Sequence, residues 1–183
     1  RDDTDHETES DAVAVPMAGQ TPPSASALRQ VRLREEVRAD ALVAVVNAVE
    51  AVSLTPLVVK AVAMTTRRVP LLPGISSVTD VAVQRWTEAG TVAPVVHVAG
   101  LMTASSVTST LRGLDARVRD GRLASAELQA ATVTIVDLGT FRAGEASLDA
   151  TSYHPAVLAL GGVREQPVVV DGEIVSSSLV RGA

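Results

Sequence analysis

The sequence lacks cysteine, contains one lysine and has few aromatic residues. The absence of cysteine excludes disulfides, thiolate metal sites and a cysteine nucleophile. Aromatic residues make up 2% of the chain, so we expect an aliphatic core and no surface that stacks on nucleic acid bases. No apolar run approaches the roughly 20 residues that cross a bilayer. Because the beginning is acidic, unlike a basic secretory signal, we expect a soluble cytoplasmic protein with no membrane partner.

Acidic charge is concentrated at the beginning of the chain. The 183 residues carry a net charge of −5, and the opening "RDDTDHETESD" accounts for all of it. The remainder is neutral, so it offers no electrostatic attraction to nucleic acid or anionic lipid. Arginine supplies every basic residue except Lys60. This bias, together with the abundance of Ala and Val, indicates a bacterial protein from a GC-rich genome.

The composition divides the chain at about residue 27. Residues 1–27 join the acidic run to "AVAVPMAGQTPPSASA", which offers little to bury and predicts a disordered tail or linker. The tail is either a solvated terminus without a role or a segment that binds a protein partner. Residues 28–183 are long enough for one domain with its own core.

Apolar and polar residues alternate from Leu28 in "LRQVRLREEV". The alternation predicts a half-buried strand with Val31, Leu33 and Val37 on its inner face. Asp40 is then predicted to cap a helix, "ALVAVVNAVEA". This helix and the one predicted after it are almost wholly apolar, which predicts that both lie in a core or an interface.

Two further helices are predicted. "LTPLVVKAVAMTTRRV" has Pro56 in its first turn, where the missing N–H is harmless, and Lys60 is expected to reach its rim. In "TASSVTSTLRGLDARVRDG" the helical spacing ends at Gly121, a predicted C-terminal cap. Ser125 is predicted to cap the short turn "SAEL". The apolar residues at helical spacing are Val107, Leu111, Leu114 and Val118.

The strands are predicted as "DVAVQRW", "GTVAPVVHVAG", "ATVTIVDLG", "AVLALGGV" and "PVVVDGEIV". The first two are joined across "TEAG", the last two are separated by "REQ", and Asp171 and Gly172 form a turn within the last. Helices and strands mix without regular βαβ alternation. This order predicts an α+β fold with a mixed sheet.

Few side chains are candidates for chemistry. His6 lies in the acidic tail, and neither His97 nor His154 has a nearby partner in sequence, so a structural or surface role is favoured for each. Asp137, Glu145 and Asp149 lack metal-ligand spacing and are interpreted as a solvated loop face, which predicts no metal site. No glycine-rich nucleotide-binding motif is present.

Four segments resemble a known family. They are "LTPLVVKAVAMTTRRVP", "GTVAPVVHVAG", "RDGRLASAELQAATVTIVDLGTF" and "HPAVLALGGVREQPVVVDGEIV". In this order they are similar to the catalytic domain of the dihydrolipoamide acyltransferase component of 2-oxo acid dehydrogenase complexes. The resemblance implies a chloramphenicol-acetyltransferase-like α+β fold, a mixed sheet packed with helices. It also implies trimers or multiples of trimers, with sites between subunits.

The resemblance also implies acyl transfer between coenzyme A and a lipoyl thiol. In the family a His-x-x-x-Asp-Gly motif removes the thiol proton, and a hydroxyl on the strand similar to Ala131–Asp137 donates to the oxyanion. Here Val136 stands at the hydroxyl position and Asp137 at an amide position, and no histidine follows His154. The Val136 change favours a naturally reduced homologue over part of a longer chain.

We therefore expect a degenerate homologue, without acyl transfer activity or cofactor, that acts as an oligomeric scaffold or partner-binding protein. Two alternatives stay open. One is an active acyltransferase using coenzyme A and dihydrolipoamide, with its missing residues supplied beyond Ala183 or by another chain. The other is a monomeric binding module that captures a basic partner through the acidic tail.

Overall fold

Nine strands and three helices lie within the part of the chain that the structure, a computed structural model, describes. The described residues are 33–49, 53–69, 79–129, 131–141 and 156–183. The strands are β1 (Glu35–Arg38), β2 (Val81–Val83), β3 (Arg85–Thr87), β4 (Gly90–Val92), β5 (Val95–Val96), β6 (Val133–Asp137), β7 (Ala156–Leu160), β8 (Arg164–Val170) and β9 (Glu173–Gly182). The helices are α1 (Asp40–Ala48), α2 (Leu54–Arg68) and α3 (Ala104–Arg119), with short 3-10 helices at Ser125–Leu128 and Gly139–Phe141.

Seven strands form one mixed sheet in the order β1-β9-β7-β6-β2-β5, with β8 also paired to β9. The central strand β6 runs parallel to both β2 and β7, whereas the other pairs in this sheet are antiparallel. Strands β3 and β4 form a separate hairpin across the predicted turn. The α+β expectation is therefore confirmed.

The main core lies between the sheet and helices α2 and α3. Alternate residues of β2 face opposite sides of the sheet, so Val81 and Val83 enter this core whereas Ala82 packs with Val95 and Ala131 in a second cluster. The fully or nearly fully buried members of the main core are Val59, Ala63, Val81, Val83, Val96, Ala99, Val107, Leu111, Leu114, Ile135 and Leu160. Both clusters are aliphatic, as the scarcity of aromatic residues predicts.

Helix α3 follows its predicted pattern. Val107, Leu111 and Leu114 are buried on one face, because residues three and four apart align along a helix. The Thr103 hydroxyl caps the beginning by accepting from the Ser106 amide at 3.1 Å. Gly121, just beyond the end, has φ +65, so the predicted glycine cap is confirmed.

The predicted half-buried first strand is wrong where it can be checked. Leu33 is 76% exposed, Val37 is 53% exposed, and all four residues of β1 are exposed. The strand lies at the edge of the sheet, where it pairs with β9 and joins it through an ion pair between Glu36 and Arg181 at 2.6 Å. Hydrogen bonding to β9 therefore accounts for the position of this strand, whereas burial of its side chains does not. Residues 28–32 lie outside the described residues.

Asp40 does not cap α1, contrary to the sequence prediction. The helix begins at Asp40 itself, with Ala39 as its N-cap residue. The Asp40 carboxylate accepts hydrogen bonds from the Ser177 hydroxyl at 2.5 Å and the Ser178 amide at 2.7 Å, both on β9. The Ser177 bond, followed by the Ser178 bond, lowers the pKa of Asp40. Asp40 thus joins α1 to β9, and none of the α1 residues is buried.

Two turn predictions have different outcomes. Asp171 and Gly172 have φ +53 and +87 and connect β8 to β9, as the Asp-Gly pair predicts. The "REQ" segment, however, forms the start of β8 instead of a connection. In the 3-10 helix Ser125–Leu128 the N-cap is Ala124, whose amide donates to the Glu127 carboxylate at 3.0 Å, so the Ser125 cap was wrong.

Several sequence predictions lie outside the described residues. These are the tail of residues 1–27, His6, Glu145, Asp149 and His154. Among the described residues, no helix has both the length and the apolar character needed to cross a bilayer.

Replacing Leu114 by Ala tests the packing of α3 against the sheet. Leu114 is 1% exposed in the main core, so the cavity should reduce the free energy of unfolding by about 2–5 kcal/mol. The control is Leu101→Ala, because Leu101 is 66% exposed and its replacement should cost less than about 0.5 kcal/mol. Urea denaturation measures both. Equal losses in the two variants would contradict the assigned core.

Candidate functional site

The candidate site lies where the parallel strands β6 and β7 end together. Asp137 is the register partner of Leu160, and the next amide, that of Leu138, donates to the Leu160 carbonyl at 2.8 Å. The glycines Gly161 and Gly162 follow directly on β7. Carboxyl ends of neighbouring strands, with loops that leave the sheet, are a common place for ligand sites.

Val136 is enclosed in the sheet near this end. Its side chain is 2% exposed. Ile135 belongs to the core beneath α2 and α3, and successive side chains of a strand alternate, so Val136 faces the opposite side of the sheet. A valine side chain has no hydrogen-bond donor. Position 136 therefore cannot stabilise a developing oxyanion with its side chain.

Asp137 is held by two hydrogen bonds. The Thr55 hydroxyl, in the first turn of α2, donates to Oδ2 at 2.5 Å, and the Gly139 amide donates to Oδ1 at 2.9 Å. A Cβ on residue 139 would lie 3.0 Å from the same Oδ1, so glycine permits this tight approach. Asp137 therefore connects the end of β6 to the beginning of α2, instead of lying on a solvated loop face.

Two exposed aromatic rings flank this region. Trp86 of β3 and Phe141, four residues after Asp137, have ring centroids 4.9 Å apart and planes at 82°, an edge-to-face contact. Trp86 is 41% exposed and Phe141 is 58% exposed. Neither this pair nor Thr55 was predicted from the sequence. Residues so far apart along the chain give no local pattern that predicts their contact. An apolar ring soon after the end of a strand is the one sequence feature that could have indicated Phe141.

His97 lies at the other end of the sheet. Its Nδ1 is 3.1 Å from the Asp80 carboxylate, and its Nε2 is 3.0 Å from the Ala126 carbonyl. Asp80 comes just before β2 and its carbonyl accepts from the Thr132 amide, at the start of β6. Since β6 advances about 3.3 Å per residue, roughly 13 Å separates this end from Asp137. The fold therefore does not bring His97 to the candidate site.

A cavity of about 270 Å³ lies between β1 and the ends of β7 and β9. Arg34, Glu36, Gly161 and Arg181 are among the residues that line it, whereas Asp137 is not. Charges of both signs surround this space, so it has no clear preference for an anion or a cation. Within the described ranges, no group of three or more His, Cys, Asp or Glu side chains is arranged to hold a metal ion.

The sequence matches a family model over residues 16–182. The model describes the catalytic domain of 2-oxoacid dehydrogenase acyltransferases. The chain belongs to this acyltransferase family. The resemblance inferred from the four sequence segments is thereby confirmed.

Two curated members of the acyltransferase family illustrate the similarity. The chain is 32% identical over 137 residues to the dihydrolipoyllysine-residue acetyltransferase component of the pyruvate dehydrogenase complex of Bacillus subtilis, covering 68% of this chain and 30% of that protein. It is 34% identical over 102 residues to the mitochondrial succinyltransferase component of the 2-oxoglutarate dehydrogenase complex of Saccharomyces cerevisiae, covering 56% and 22%. The chain thus spans less than a third of the length of these relatives.

Solved structures of acyltransferase cores share the fold. A probable dihydrolipoamide acetyltransferase from Listeria monocytogenes superimposes with a TM-score of 0.75 at 19% identity, covering 82% of this chain and 71% of that one. The cubic core of a pyruvate dehydrogenase multienzyme complex gives 0.75 at 20% identity, covering 82% and 69%. At these identities the agreement concerns the fold alone.

Replacing Thr55 by Val tests the bond between α2 and the end of β6. The change keeps a β-branched side chain but removes the donor to the partly buried Asp137 carboxylate, which should cost about 1.5–3 kcal/mol of unfolding free energy. Thr65→Val is the matched control, because that exposed hydroxyl donates only to the Ala61 carbonyl of its own helix. Chemical denaturation should separate the two variants. If the Thr55 variant were as stable as the control, the bond would not hold the site together.

Proposed function

We propose that this chain is an assembly domain of a 2-oxo acid dehydrogenase-type complex that no longer performs acyl transfer at the end of β6. The observation that carries the proposal is Val136, a side chain 2% exposed at the position where the family has a hydroxyl donor. The similar structures that are cores of multienzyme complexes support the assembly role, and the local chemistry argues against the transfer.

The chemistry at position 136 also disfavours the family reaction. Attack of a thiolate on a thioester forms a tetrahedral intermediate with a negatively charged oxygen, which needs donors directed at it. Val136 has no donor. The Asp137 side chain does not replace it, because it faces α2 on the other side of the sheet and its carboxylate only accepts hydrogen bonds. The loss of a donor at position 136 therefore slows the step.

Exposed apolar surface supports assembly into oligomers. Val45 and Val49, at the end of α1, are 46% and 45% exposed, and the cross-strand pair Val169 and Ile174 on the β8–β9 hairpin is 71% and 77% exposed. We take these two exposed apolar pairs as candidate contacts with other chains. Since similar folds occur in the cores of multienzyme complexes, we propose a cytoplasmic homo-oligomer built from trimers. The acidic tail would provide a contact for a basic protein partner.

The alternative is an active acyltransferase that moves acyl groups between coenzyme A and dihydrolipoamide. The names of its relatives, acetyltransferase and succinyltransferase components, favour this alternative. It requires a catalytic histidine from outside this sequence and a donor that replaces the hydroxyl at position 136. Under this alternative coenzyme A and the lipoyl group are substrates of the chain.

Restoring the family residues distinguishes the proposed assembly role from the alternative of acyl transfer. The double change Val136→Ser and Asp137→Asn should be made in the longest natural polypeptide that contains this sequence. In a polypeptide that also carries the histidine motif, transfer from acetyl-coenzyme A to dihydrolipoamide should be at background before the change and should rise by about 100-fold or more after it, because a donor then faces the oxyanion. The control Val133→Ser places a hydroxyl at the other end of β6. Rapid transfer by the unchanged protein would refute the proposal and establish the alternative.

Native mass measures the assembly. Sedimentation or native mass spectrometry of the chain, 18.9 kDa as a monomer, should give three subunits or a multiple of three. Replacing Ile174 by Lys should shift the distribution toward smaller species if the hairpin lies in a contact, because a buried charge is costly there. The control Glu173→Lys changes charge on the same turn without removing apolar surface. A strict monomer would contradict assembly and favour the binding module.

A further inference from the structure

His97 connects three separate parts of the chain at the end of the sheet opposite Asp137. Asp80 precedes β2, His97 directly follows β5, and Ala126 belongs to the 3-10 helix Ser125–Leu128. The two ring nitrogens of His97 lie 3.1 Å from the Asp80 Oδ2 and 3.0 Å from the Ala126 carbonyl oxygen. The imidazole therefore bridges the 3-10 helix and the edge of the sheet.

Both partners of the ring are acceptors. A carboxylate and a carbonyl oxygen have no hydrogen to donate, whereas a neutral imidazole carries only one N–H. A neutral His97 can satisfy only one of these acceptors. The Asp80 carboxylate is the stronger acceptor, so the remaining proton stays on Nδ1 and the Nε2 lone pair faces the Ala126 oxygen. Only the doubly protonated ring donates to both at once.

Asp80 is fixed in place by further bonds. Its Oδ1 accepts from the Val98 amide at 2.7 Å, and its carbonyl accepts from the Thr132 amide at 2.8 Å. Val98 has φ +49, a left-handed conformation that is unfavourable for a β-branched residue. The Asp80 carboxylate thus holds the strained turn at Val98, and the Asp80 backbone carbonyl joins the same residue to Thr132, just before β6. The second oxygen of the carboxylate is directed at His97 by the same arrangement.

The charged groups around the ring are Asp80 and Glu127. Glu127 lies next to Ala126 and pairs with Arg117 of α3 at 2.5 Å, which offsets part of its charge. Partial burial is the largest influence and lowers the pKa of His97, but the hydrogen bonds to Asp80 and Ala126 and the charges of Asp80 and Glu127 together raise the pKa above its ordinary value. The side chain is 43% exposed, so protons can reach the ring from solvent.

We propose that His97 is a pH-dependent bridge. The protonated ring joins the 3-10 helix Ser125–Leu128 to Asp80 by donating to both, and loss of one ring proton breaks the hydrogen bond to Ala126. Because the pKa of His97 is raised on folding, the bridge contributes its full stabilisation below the ordinary histidine pKa of 6.5. This stabilisation is lost as the pH rises through the pKa of the folded state. The segment that connects α3 to β6 is therefore held more firmly in mildly acidic solution. Release loosens that connection without unfolding the sheet.

Histidine titration by NMR is the first test. The chain has three histidines, and the signal missing from a His97→Gln variant identifies His97. We expect it to titrate above 6.5, and we expect Asp80→Asn to move the midpoint downward because the amide removes the charge but keeps an oxygen for Val98. A His97 midpoint at or below 6.5 in the unchanged chain would overturn the proposal.

Amide exchange at residues Leu123–Gln129 is the second test. After correction for intrinsic exchange, protection in the unchanged chain should be roughly threefold to tenfold greater at pH 6 than at pH 8, the range that one hydrogen bond provides. His97→Gln keeps one donor and no charge, so its protection should not depend on pH. Amides in the middle of α3 serve as an internal control. If amide protection depended on pH equally in both proteins, a group other than His97 would control the stability of this segment, and the proposal would be wrong.

Discussion

The parallel pairing of β6 with β2 on one side and β7 on the other positions the rest of the structure. Its residues Val133–Val136 are 6% exposed or less. Helices α2 and α3 cover one face of this strand through the main core, and the burial of aliphatic side chains there stabilises the arrangement. A strand enclosed in this way can expose polar groups only at its two ends. Asp137 lies at one of those ends, and the cluster of Asp80 and His97 lies at the other.

The two ends are built on the same physical principle. At the carboxyl end Asp137 accepts from Thr55 of α2, and at the amino end Asp80 lies against His97 and the strained turn at Val98. Each carboxylate joins the sheet to a neighbouring segment through short hydrogen bonds. Among the described residues, only the amino end includes a group that titrates near neutral pH, so the two ends differ in their response to protons.

The family match and the strand end lead to different expectations for the chain. Membership places it among acyltransferase catalytic domains, whereas Val136 contributes aliphatic burial at the position where we propose that the hydroxyl donor is missing. Valine suits the interior of a sheet through its β-branched shape, and Asp137 stabilises the contact between β6 and α2. Both residues therefore contribute to the integrity of the fold, which the proposed assembly role requires.

Sequence periodicity by itself determined the elements whose stability is local. The spacing of Val107, Leu111 and Leu114 located α3, and Asp171-Gly172 located the hairpin, because helix faces and tight turns depend on neighbouring residues. The tertiary structure alone decided that Asp40 bonds to Ser177, 137 positions away, and that His97 meets Asp80 and Ala126. A polar side chain takes whichever partner the fold brings within hydrogen-bonding distance. Local sequence patterns do not contain that distance.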